Sequence, residues 1–226
     1  ALRGRQVNFA REGYPFAWVG VLLAGGAWAT VWTGRGGTFA EIAGWILSGL
    51  AVFVLWFFRD PDPEIPQDPT LVVAPGQGKV LLIEEVHEST YMDGPARKIT
   101  IFLSVFDVHV QRAPVTGVVD HKVYKPGKYA ATWLAKASDD NEQASLGIVT
   151  SKGKVLVRQI AGLIARRIIT DLSVGDPIER GRRFGLIRFG SRVDLFLPMH
   201  WDVMCAVGDK VRVGTTVLAR QTEATA

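Results

Sequence analysis

Two long apolar runs dominate the start of the chain, at residues 14–33 and 42–58, and neither contains a charged side chain. A helix needs about 20 residues to cross the hydrocarbon core of a bilayer, with roughly 17 as the lower limit. Both runs therefore predict membrane-spanning helices, and the Gly-rich link at 34–38 predicts a tight hairpin. A buried helical pair is the alternative, but helices in soluble cores usually keep a polar stripe. A cleaved signal peptide would leave the second run unexplained.

After the second run the pattern changes to short apolar stretches separated by glycine and proline. Residues 59–69 contain four prolines, which predicts an extended linker between the hairpin (1–58) and a second domain (70–226). Within that domain, alternating or β-branched runs predict strands. These runs are residues 80–83, 98–103, 118–124 and 154–157. The clearest helix candidate extends from Ile160 to Ile169.

An internal repeat supports a mainly β second domain. The sequence Val-Gly-Asp-Pro-Ile-Glu-Arg-Gly at 174–181 recurs 33 residues later, at 207–214, as Val-Gly-Asp-Lys-Val-Arg-Val-Gly. Each Gly-Asp pair indicates a turn before a strand. Such units also occur in lipoyl/biotinyl-like β-sandwiches, so we expect a sandwich or barrel-type domain of this class behind a two-helix transmembrane hairpin. No lysine lies in a turn of the kind that accepts biotin or lipoate, which argues against a swinging-arm carrier.

The positions of the basic residues predict the orientation of the hairpin. Arg3, Arg5 and Arg11 precede the first run, whereas the hairpin loop contains only Arg35. Positively charged flanks stay in the cytoplasm, so we expect the N-terminus on that side of the inner membrane. Two crossings return the chain to the same side, which predicts a cytoplasmic second domain.

Charge and cysteine content add little to this interpretation. The formal charge of +4 favours an anionic membrane surface, although a solvated basic face explains it equally well. The single cysteine, Cys205, precludes an intrachain disulfide and fits a reducing compartment; we expect it to be a small buried residue. The sequence contains no nucleic-acid-binding motif.

A Gly-Ser pair, Gly190-Ser191, interrupts a strand-like apolar segment near the C-terminus. A serine hydroxyl can attack the carbonyl of the residue before it, and glycine leaves that carbonyl open because it has no Cβ. The resulting ester can eliminate, which cuts the chain and converts the serine into dehydroalanine and then a pyruvoyl group. A Gly-Ser bulge or turn is the simpler alternative.

The surroundings of this pair are similar to the short bacterial and archaeal phosphatidylserine decarboxylases. The similar segments are 57–61, 102–114, 159–167 and 179–194. They occur in family order, within a resemblance that extends from about residue 14 to about residue 217, and together they are highly specific.

The resemblance implies self-cleavage between Gly190 and Ser191. The products would be a β chain of residues 1–190 and an α chain of residues 191–226 that begins with the pyruvoyl cofactor. The enzyme would decarboxylate phosphatidylserine to phosphatidylethanolamine through a Schiff base, without a metal or diffusible cofactor. The implied partners are phosphatidylserine and anionic membrane lipid, and self-association into a homo-oligomer is left open.

His109 is the candidate general base. Alternation along a strand from Ile101 to Val110 would place Asp107 and His109 on one face. A histidine there could take the proton of Ser191 during self-cleavage. A structural histidine is the alternative from the residues alone; the resemblance assigns His109 the role of base.

Two positions depart from the family pattern. The family usually has an Asp in Ser/Ala-Pro-Ala-Asp-Gly-Lys, whereas here Ala74–Lys79 is Ala-Pro-Gly-Gln-Gly-Lys, with Gln77 at the Asp position. Glutamine can orient an imidazole but cannot stabilise imidazolium with a charge, so maturation would be slow or Asp107 would substitute. Arg112 occupies the place of a second histidine found in longer members, and could bind a phosphate or carboxylate.

Three other functions remain as alternatives. With Gln77, the chain could be a non-processing paralogue that binds lipid. A membrane-anchored adaptor with lipoyl-like sandwiches would normally carry coiled-coil arms, and no heptad run is present. A serine hydrolase is disfavoured because Ser191 lies in no Gly-x-Ser-x-Gly elbow.

Overall fold

The computed structural model describes residues 7–127, 141–162, 167–188 and 191–223. The chain divides into two compact units, residues 1–62 and 63–226. In the first unit, strands β1 (Val7–Phe9) and β2 (Arg59–Pro61) pair antiparallel. Between them lie a short 3-10 helix (Arg11–Gly13) and the helices α1 (Tyr14–Trp32) and α2 (Gly37–Phe57).

Small residues allow α1 and α2 to pack closely. A Cβ on Gly20 would lie 3.1 Å from the Cβ of Ala51, and one on Gly44 would lie 2.9 Å from the Trp28 ring. The indole N–H of Trp28 donates to Ser48 Oγ at 3.1 Å, which satisfies both polar groups within the hairpin. Many other large apolar side chains of the hairpin are exposed. Both helices are long and apolar enough, by length and composition, to cross a membrane.

The second unit is mainly β, as the sequence predicts. Its described strands are β3 (Leu71–Val73), β4 (Gly78–Glu88), β5 (Gly94–Leu103), β6 (Val110–Arg112), β7 (Gly117–Lys125), β8 (Gln143–Thr150), β9 (Gly153–Ala161), β10 (Ile168–Thr170), β11 (Pro177–Ile178), β12 (Arg183–Ile187), β13 (Ser191–Pro198), β14 (Asp202–Val203), β15 (Lys210–Val211) and β16 (Val217–Arg220). The four predicted strands lie within β4, β5, β7 and β9 and are confirmed.

One curled sheet of eight strands forms the frame, in the order β11-β7-β8-β9-β13-β5-β4-β15. Two three-stranded sheets accompany it, with the orders β10-β12-β6 and β14-β16-β3. β13 lies in the interior of the large sheet and pairs antiparallel with β5 and with β9. Its alternate residues Val193, Leu195 and Leu197 belong to the main hydrophobic core. The lipoyl/biotinyl-like class of this domain stays a prediction.

The sequence repeat forms two equivalent turns at opposite edges of the large sheet. Gly175 and Gly208 both have positive φ, at 95° and 100°. Asp176 and Asp209 each accept a backbone N–H from three residues earlier, at 2.8 Å. The strands that follow are β11 and β15, the two edge strands.

A second repeat, Ala-Pro-x-x-Gly-x-Val, completes this internal duplication. It occurs at 74–80 and at 113–119. In each copy the alanine carbonyl accepts a backbone N–H from the last glycine of the repeat described above, Ala74 from Gly214 and Ala113 from Gly181. The loop that contains Gln77 therefore has a structural counterpart elsewhere in the unit.

The expectation of one continuous strand from Ile101 to Val110 is wrong. β5 ends at Leu103, and Ser104–His109 forms a turn before β6 begins at Val110. The Asp107 carboxylate closes this turn, because its Oδ2 accepts the Ser104 N–H at 2.9 Å and the Ser104 hydroxyl at 2.7 Å. Strand alternation therefore does not place Asp107 beside His109.

The helix expected over Ile160–Ile169 is also wrong for the residues that the structure describes. β9 continues to Ala161, and β10 begins at Ile168. The β-branched Ile160 and its neighbour Ala161 pair with Arg192 and Ser191 of β13, so sheet pairing determines their conformation. Residues 163–166 lie outside the described part of the chain.

Arg180 binds the segment that leads into the second unit. Its guanidinium donates to the backbone carbonyls of Pro66, Asp68 and Leu71. At the next position, Gly181, a Cβ would collide with the Ile65 side chain at 2.3 Å. The segment from residue 63 onward is therefore packed on the unit that contains the β-sheets.

Glu88, at the end of β4, is a buried carboxylate with many donors. It accepts the backbone N–H groups of Thr90, Tyr91 and Met92 at 3.1, 2.8 and 3.0 Å, and the Arg158 guanidinium at 2.8 Å. Burial raises the pKa of Glu88, but hydrogen bonds from the Thr90 hydroxyl and from these backbone groups lower it by more, so that the pKa is about 2. The folded state thus favours the ionised carboxylate.

We expect Glu88 to make stability pH-dependent. Because its pKa is lowered from 4.5 to about 2 on folding, its contribution is complete above about pH 5 and is lost as the pH falls toward 2. Glu88→Gln should reduce the fall in unfolding free energy across this window, measured by denaturant titration in detergent. Glu84→Gln, whose side chain is 37% exposed beside Lys98, is the matched control. Equal pH slopes in the Glu88 variant and the wild type would contradict the assignment.

Candidate active site

Ser191 is the first residue of β13 and is fully buried. It pairs with Leu103 of β5 and with Ala161 of β9, so its backbone is held on both sides. Its Oγ has no hydrogen-bond partner among the residues that the structure describes. A buried hydroxyl without a partner costs about 1–3 kcal/mol, and such a group is a candidate for chemistry. Gly190, the other half of the predicted cleavage site, lies outside the described residues.

His109 is fully buried at the end of the turn that follows β5. Its Nδ1 lies 3.0 Å from the backbone carbonyl oxygen of Asp107. A carbonyl only accepts, so Nδ1 carries a proton. In the neutral imidazole Nε2 is then the nitrogen that could take up a proton, as a general base would. The turn starts directly after Leu103, the residue that pairs with Ser191.

The loop that carries Gln77 reaches the same end of the sheet. A Cβ on Gly76 would lie 3.5 Å from side-chain atoms of Leu103 and Val193. The backbones of Gly78 and Phe102 approach so closely that a Cβ on Gly78 would lie 1.9 Å from the carbonyl oxygen of Phe102. Only glycine fits at position 78 for this reason. Gln77, between these two glycines, is half-buried. The structure therefore brings the Gln77 loop, the His109 turn and Ser191 together at one end of β5 and β13.

Asp107 and Arg112 have structural contacts of their own. The Asp107 carboxylate binds Ser104 within its turn. Arg112 is 8% exposed, and its guanidinium donates to the backbone carbonyl of Gly181 at 3.1 Å. Its backbone N–H donates to the carbonyl of Pro75, so Arg112 also connects β6 to the loop that carries Gln77.

A buried ion pair lies on the opposite face of β13 from Ser191. The Arg192 guanidinium donates to both carboxylate oxygens of Asp194, at 2.7 and 2.8 Å. The two residues are 5% and 2% exposed. Such a bidentate pair holds both side chains in one orientation, so it stiffens the strand next to Ser191. The sequence pattern did not predict this pair, although both residues alternate with apolar ones in a strand-like segment.

A chain of buried amides was also not predicted from the sequence pattern. Gln159 of β9 bonds to Gln111 of β6 at 2.8 Å and to Thr170 of β10 at 3.0 Å. Gln111 and Gln159 are 0% and 1% exposed. Both lie inside segments that resemble the family, and a polar residue between apolar neighbours in a strand was the available signal.

Comparison with known proteins identifies one family across most of the chain. The family model for phosphatidylserine decarboxylase matches residues 50–219. A phosphatidylserine decarboxylase proenzyme of Symbiobacterium thermophilum is 47% identical over 217 residues, which cover 96% of this chain and 97% of the relative. Proenzymes with the same name are 47% identical in Salinibacter ruber, over 88% of this chain and 87% of the relative, and 42% identical in Desulfotalea psychrophila, over 95% and 97%.

Replacement of His109 tests its assignment as the base for self-cleavage. His109→Ala should slow the cut before Ser191 by about 10²–10⁴-fold, the usual contribution of a positioned general base. The measurement is the fraction of full-length chain over time after synthesis, resolved on denaturing gels. His87→Ala, at an exposed position of β4, should process as the wild type does. Unchanged processing of His109→Ala would place the base elsewhere.

Gln77→Asp tests whether Gln77 is a weaker version of the family residue. A carboxylate at this position can stabilise imidazolium with a charge, which an amide cannot. The variant should therefore mature faster than the wild type in the same time course. Thr116→Asp introduces a carboxylate at the corresponding position of the duplicated loop and should leave the rate unchanged. An unaltered rate in Gln77→Asp would show that another group has taken over this role.

Proposed function

Because this chain belongs to the phosphatidylserine decarboxylase family, we propose that it decarboxylates phosphatidylserine to phosphatidylethanolamine at a pyruvoyl group made from Ser191. The observation that carries this proposal is the buried Ser191 hydroxyl, which has no described partner at the first position of a central strand. The residue lies inside the matched family region. The relatives are named proenzymes, which supports a maturation step.

The residues around position 191 fit a pyruvoyl group. The group would replace Ser191 itself and would therefore need no additional cavity. Its neighbours Leu103 and Ala161 are apolar and fully buried, which would exclude water from a reactive ketone. A pyruvoyl ketone supplies an electron sink for the loss of CO₂ from an amino acid head group.

His109 and Ser191 would carry out self-cleavage in balanced steps. Ser191 Oγ forms a bond to the carbonyl carbon of the preceding residue while its proton passes to His109. The C–N bond then breaks as the nitrogen takes a proton back, which leaves an ester. Loss of the Cα proton of residue 191 and cleavage of its Cβ–Oγ bond release the first chain as a carboxylate. A proton then moves from the nitrogen to Cβ of the resulting dehydroalanine, which gives an imine, and water replaces the imine nitrogen, which leaves as ammonia.

The apolar helices and the arginines before α1 support a proposed location for the hairpin and for the catalytic domain. The two apolar helices support membrane association. The excess of arginine before α1 supports a catalytic domain on the cytoplasmic side of the inner membrane. In this arrangement the substrate keeps its acyl chains in the bilayer while its serine head group reaches the enzyme. The domain limits 1–58, 59–69 and 70–226 and a two-chain mature protein are parts of this proposal, and self-association into a homo-oligomer is left open.

Gln77 favours a second candidate function. If the amide cannot support the base, the chain would remain uncut and would bind phosphatidylserine or other anionic lipid without turnover. This candidate shares the fold and the membrane helices. Cleavage of the peptide bond before Ser191 therefore distinguishes the two functions.

An intact mass of the purified protein under denaturing conditions tests the proposal. We expect two chains, residues 1–190 and residues 191–226, the second with a pyruvoyl-blocked N-terminus. Ser191→Ala should give one full-length chain without decarboxylase activity, because it lacks the attacking oxygen. Ser145→Ala, at a half-buried serine of β8, should be cut as the wild type is. Decarboxylation by Ser191→Ala would refute the pyruvoyl proposal, and an uncut wild-type chain would favour the lipid-binding candidate.

A further inference from the structure

A cavity of about 230 Å³ lies on the face of the large sheet that is opposite to Ser191. Arg158 of β9 lines this cavity and pairs in register with Asp194 of β13. Asp194 alternates along its strand with the core residue Val193, so Arg158 and Asp194 both point away from the core, to what we call the outer face. Pockets for drug-sized molecules have volumes from about 300 Å³ upward. This cavity therefore suits a smaller group.

The lining of the cavity is basic, and we call it the basic cavity. It includes His121 and Lys125 of β7 together with Arg158, and it contains no carboxylate. His121 and Lys125 are four residues apart in one strand, so both side chains point to the outer face. A second cavity that also borders Arg158 contains the carboxylates of Glu88 and Asp194. The outer face thus favours an anion in the basic cavity and disfavours one in its neighbour.

Contacts within the outer face fix the Arg158 side chain. Its Nη2 donates to the Glu88 carboxylate at 2.8 Å and to the Thr90 hydroxyl at 3.3 Å. Its guanidinium carbon lies 4.8 Å from the centroid of the Phe196 ring. The hydrogen bonds of the guanidinium use Nε and Nη2, which leaves Nη1 for a ligand. A guanidinium held in this way loses little side-chain entropy when it binds an anion.

The wall that carries His121 is also packed in place. Gly147 lies opposite His121 in register, and a Cβ on Gly147 would lie 2.7 Å from both His121 Cβ and Tyr91 Cζ. The glycine thus leaves room for the Tyr91 ring beside the imidazole, with the ring centroids 5.0 Å apart. The Tyr91 hydroxyl donates to the Asp120 carboxylate, which holds the ring there. The cavity therefore has its shape before any ligand binds.

We propose that the basic cavity binds a phosphate group, at a site separate from the catalytic centre. Glu88 offsets the charge of Arg158, so Lys125 supplies the net attraction and Arg158 supplies directed N–H donors. The oxygens of a phosphate are arranged as a tetrahedron, so they can accept from donors on β7 and on β9 at once. A carboxylate has only two oxygens, which lie in one plane. A free phosphate ion and the phosphodiester of a lipid head group share the chemistry that the cavity recognises.

The test is the Tm of the purified full-length chain in a maltoside detergent, titrated with sodium phosphate at an ionic strength held constant with sodium chloride. A ligand that binds only the folded state raises the Tm according to its concentration and Kd. Lys125→Gln should weaken phosphate binding by about 10-fold, the loss expected when one charge-assisted hydrogen bond is removed. Lys125→Arg should retain most of the affinity, because it retains the charge.

Lys210→Gln is the matched control, because it also removes one lysine charge. Lys210 belongs to β15, an edge strand that is six places from β7 in the order of the large sheet. The phosphate Kd of this variant should equal that of the wild type. A Tm that does not rise with phosphate, or an unchanged Kd in Lys125→Gln, would overturn the inference.

Nanodiscs of phosphatidylcholine, with and without phosphatidylglycerol, identify the source of the phosphate. If a lipid head group occupies the cavity, phosphatidylglycerol should raise the Tm and abolish the further rise on addition of sodium phosphate. Both effects should be weaker in Lys125→Gln. If a soluble phosphate occupies the cavity, sodium phosphate should raise the Tm equally in the two kinds of nanodisc.

The outcomes also separate this inference from the proposed function. Ser191→Ala should bind phosphate with the wild-type Kd, because Ser191 lies on the opposite face of the sheet from Arg158. An uncut wild-type chain would overturn the decarboxylase proposal and leave the phosphate site intact. Failure to bind phosphate would overturn the site and leave the decarboxylase proposal intact.

Discussion

The backbone pairing of β13 is the constraint on which the second unit depends. This strand lies in the interior of the eight-stranded sheet, and all of its residues before Pro198 are buried. A buried strand must find a partner for each peptide N–H and C=O, and β13 finds them in β5 and β9. Ser191 begins this strand, so sheet pairing rather than loop conformation determines where its hydroxyl lies. A reactive group on a regular element is held more accurately than one on a loop.

The two faces of β13 provide different support for its first residue. On one face the Arg192–Asp194 pair holds the strand with two charge-assisted hydrogen bonds. On the other face Ser191 and the bonded amides of Gln159 and Gln111 lie among apolar core residues. Polar atoms in such a layer are costly unless they are bonded. The fold nevertheless retains Ser191 Oγ and Gln111 Nε2 without described partners. Buried polar groups of this kind lower stability and are expected at functional sites.

Local pattern predicted the strands and the duplicated turns, because alternation and Gly-Asp pairs act over a few residues. It also selected Ser191, through the resemblance of the segments around it. The turn at Ser104–His109 was missed because one carboxylate, that of Asp107, closes it against the strand pattern. The amide chain was missed for a different reason. Gln111 and Gln159 are 48 positions apart in sequence, and a lone glutamine in a strand ordinarily indicates a solvent-facing position.

The interior position of β13 determines how the two fragments would behave after a chain break before Ser191. A cut before Ser191 would leave this strand attached to β5 and β9 of the other fragment along its length, so the two fragments would migrate as one particle until the sheet is melted. Folding of the intact chain is unimolecular, whereas reassembly of the cut chain would be bimolecular and would depend on protein concentration. The sheet would therefore form first, by unimolecular folding of a single chain. The break before Ser191 would follow in the folded structure, and the two fragments could not readily reassemble once unfolded.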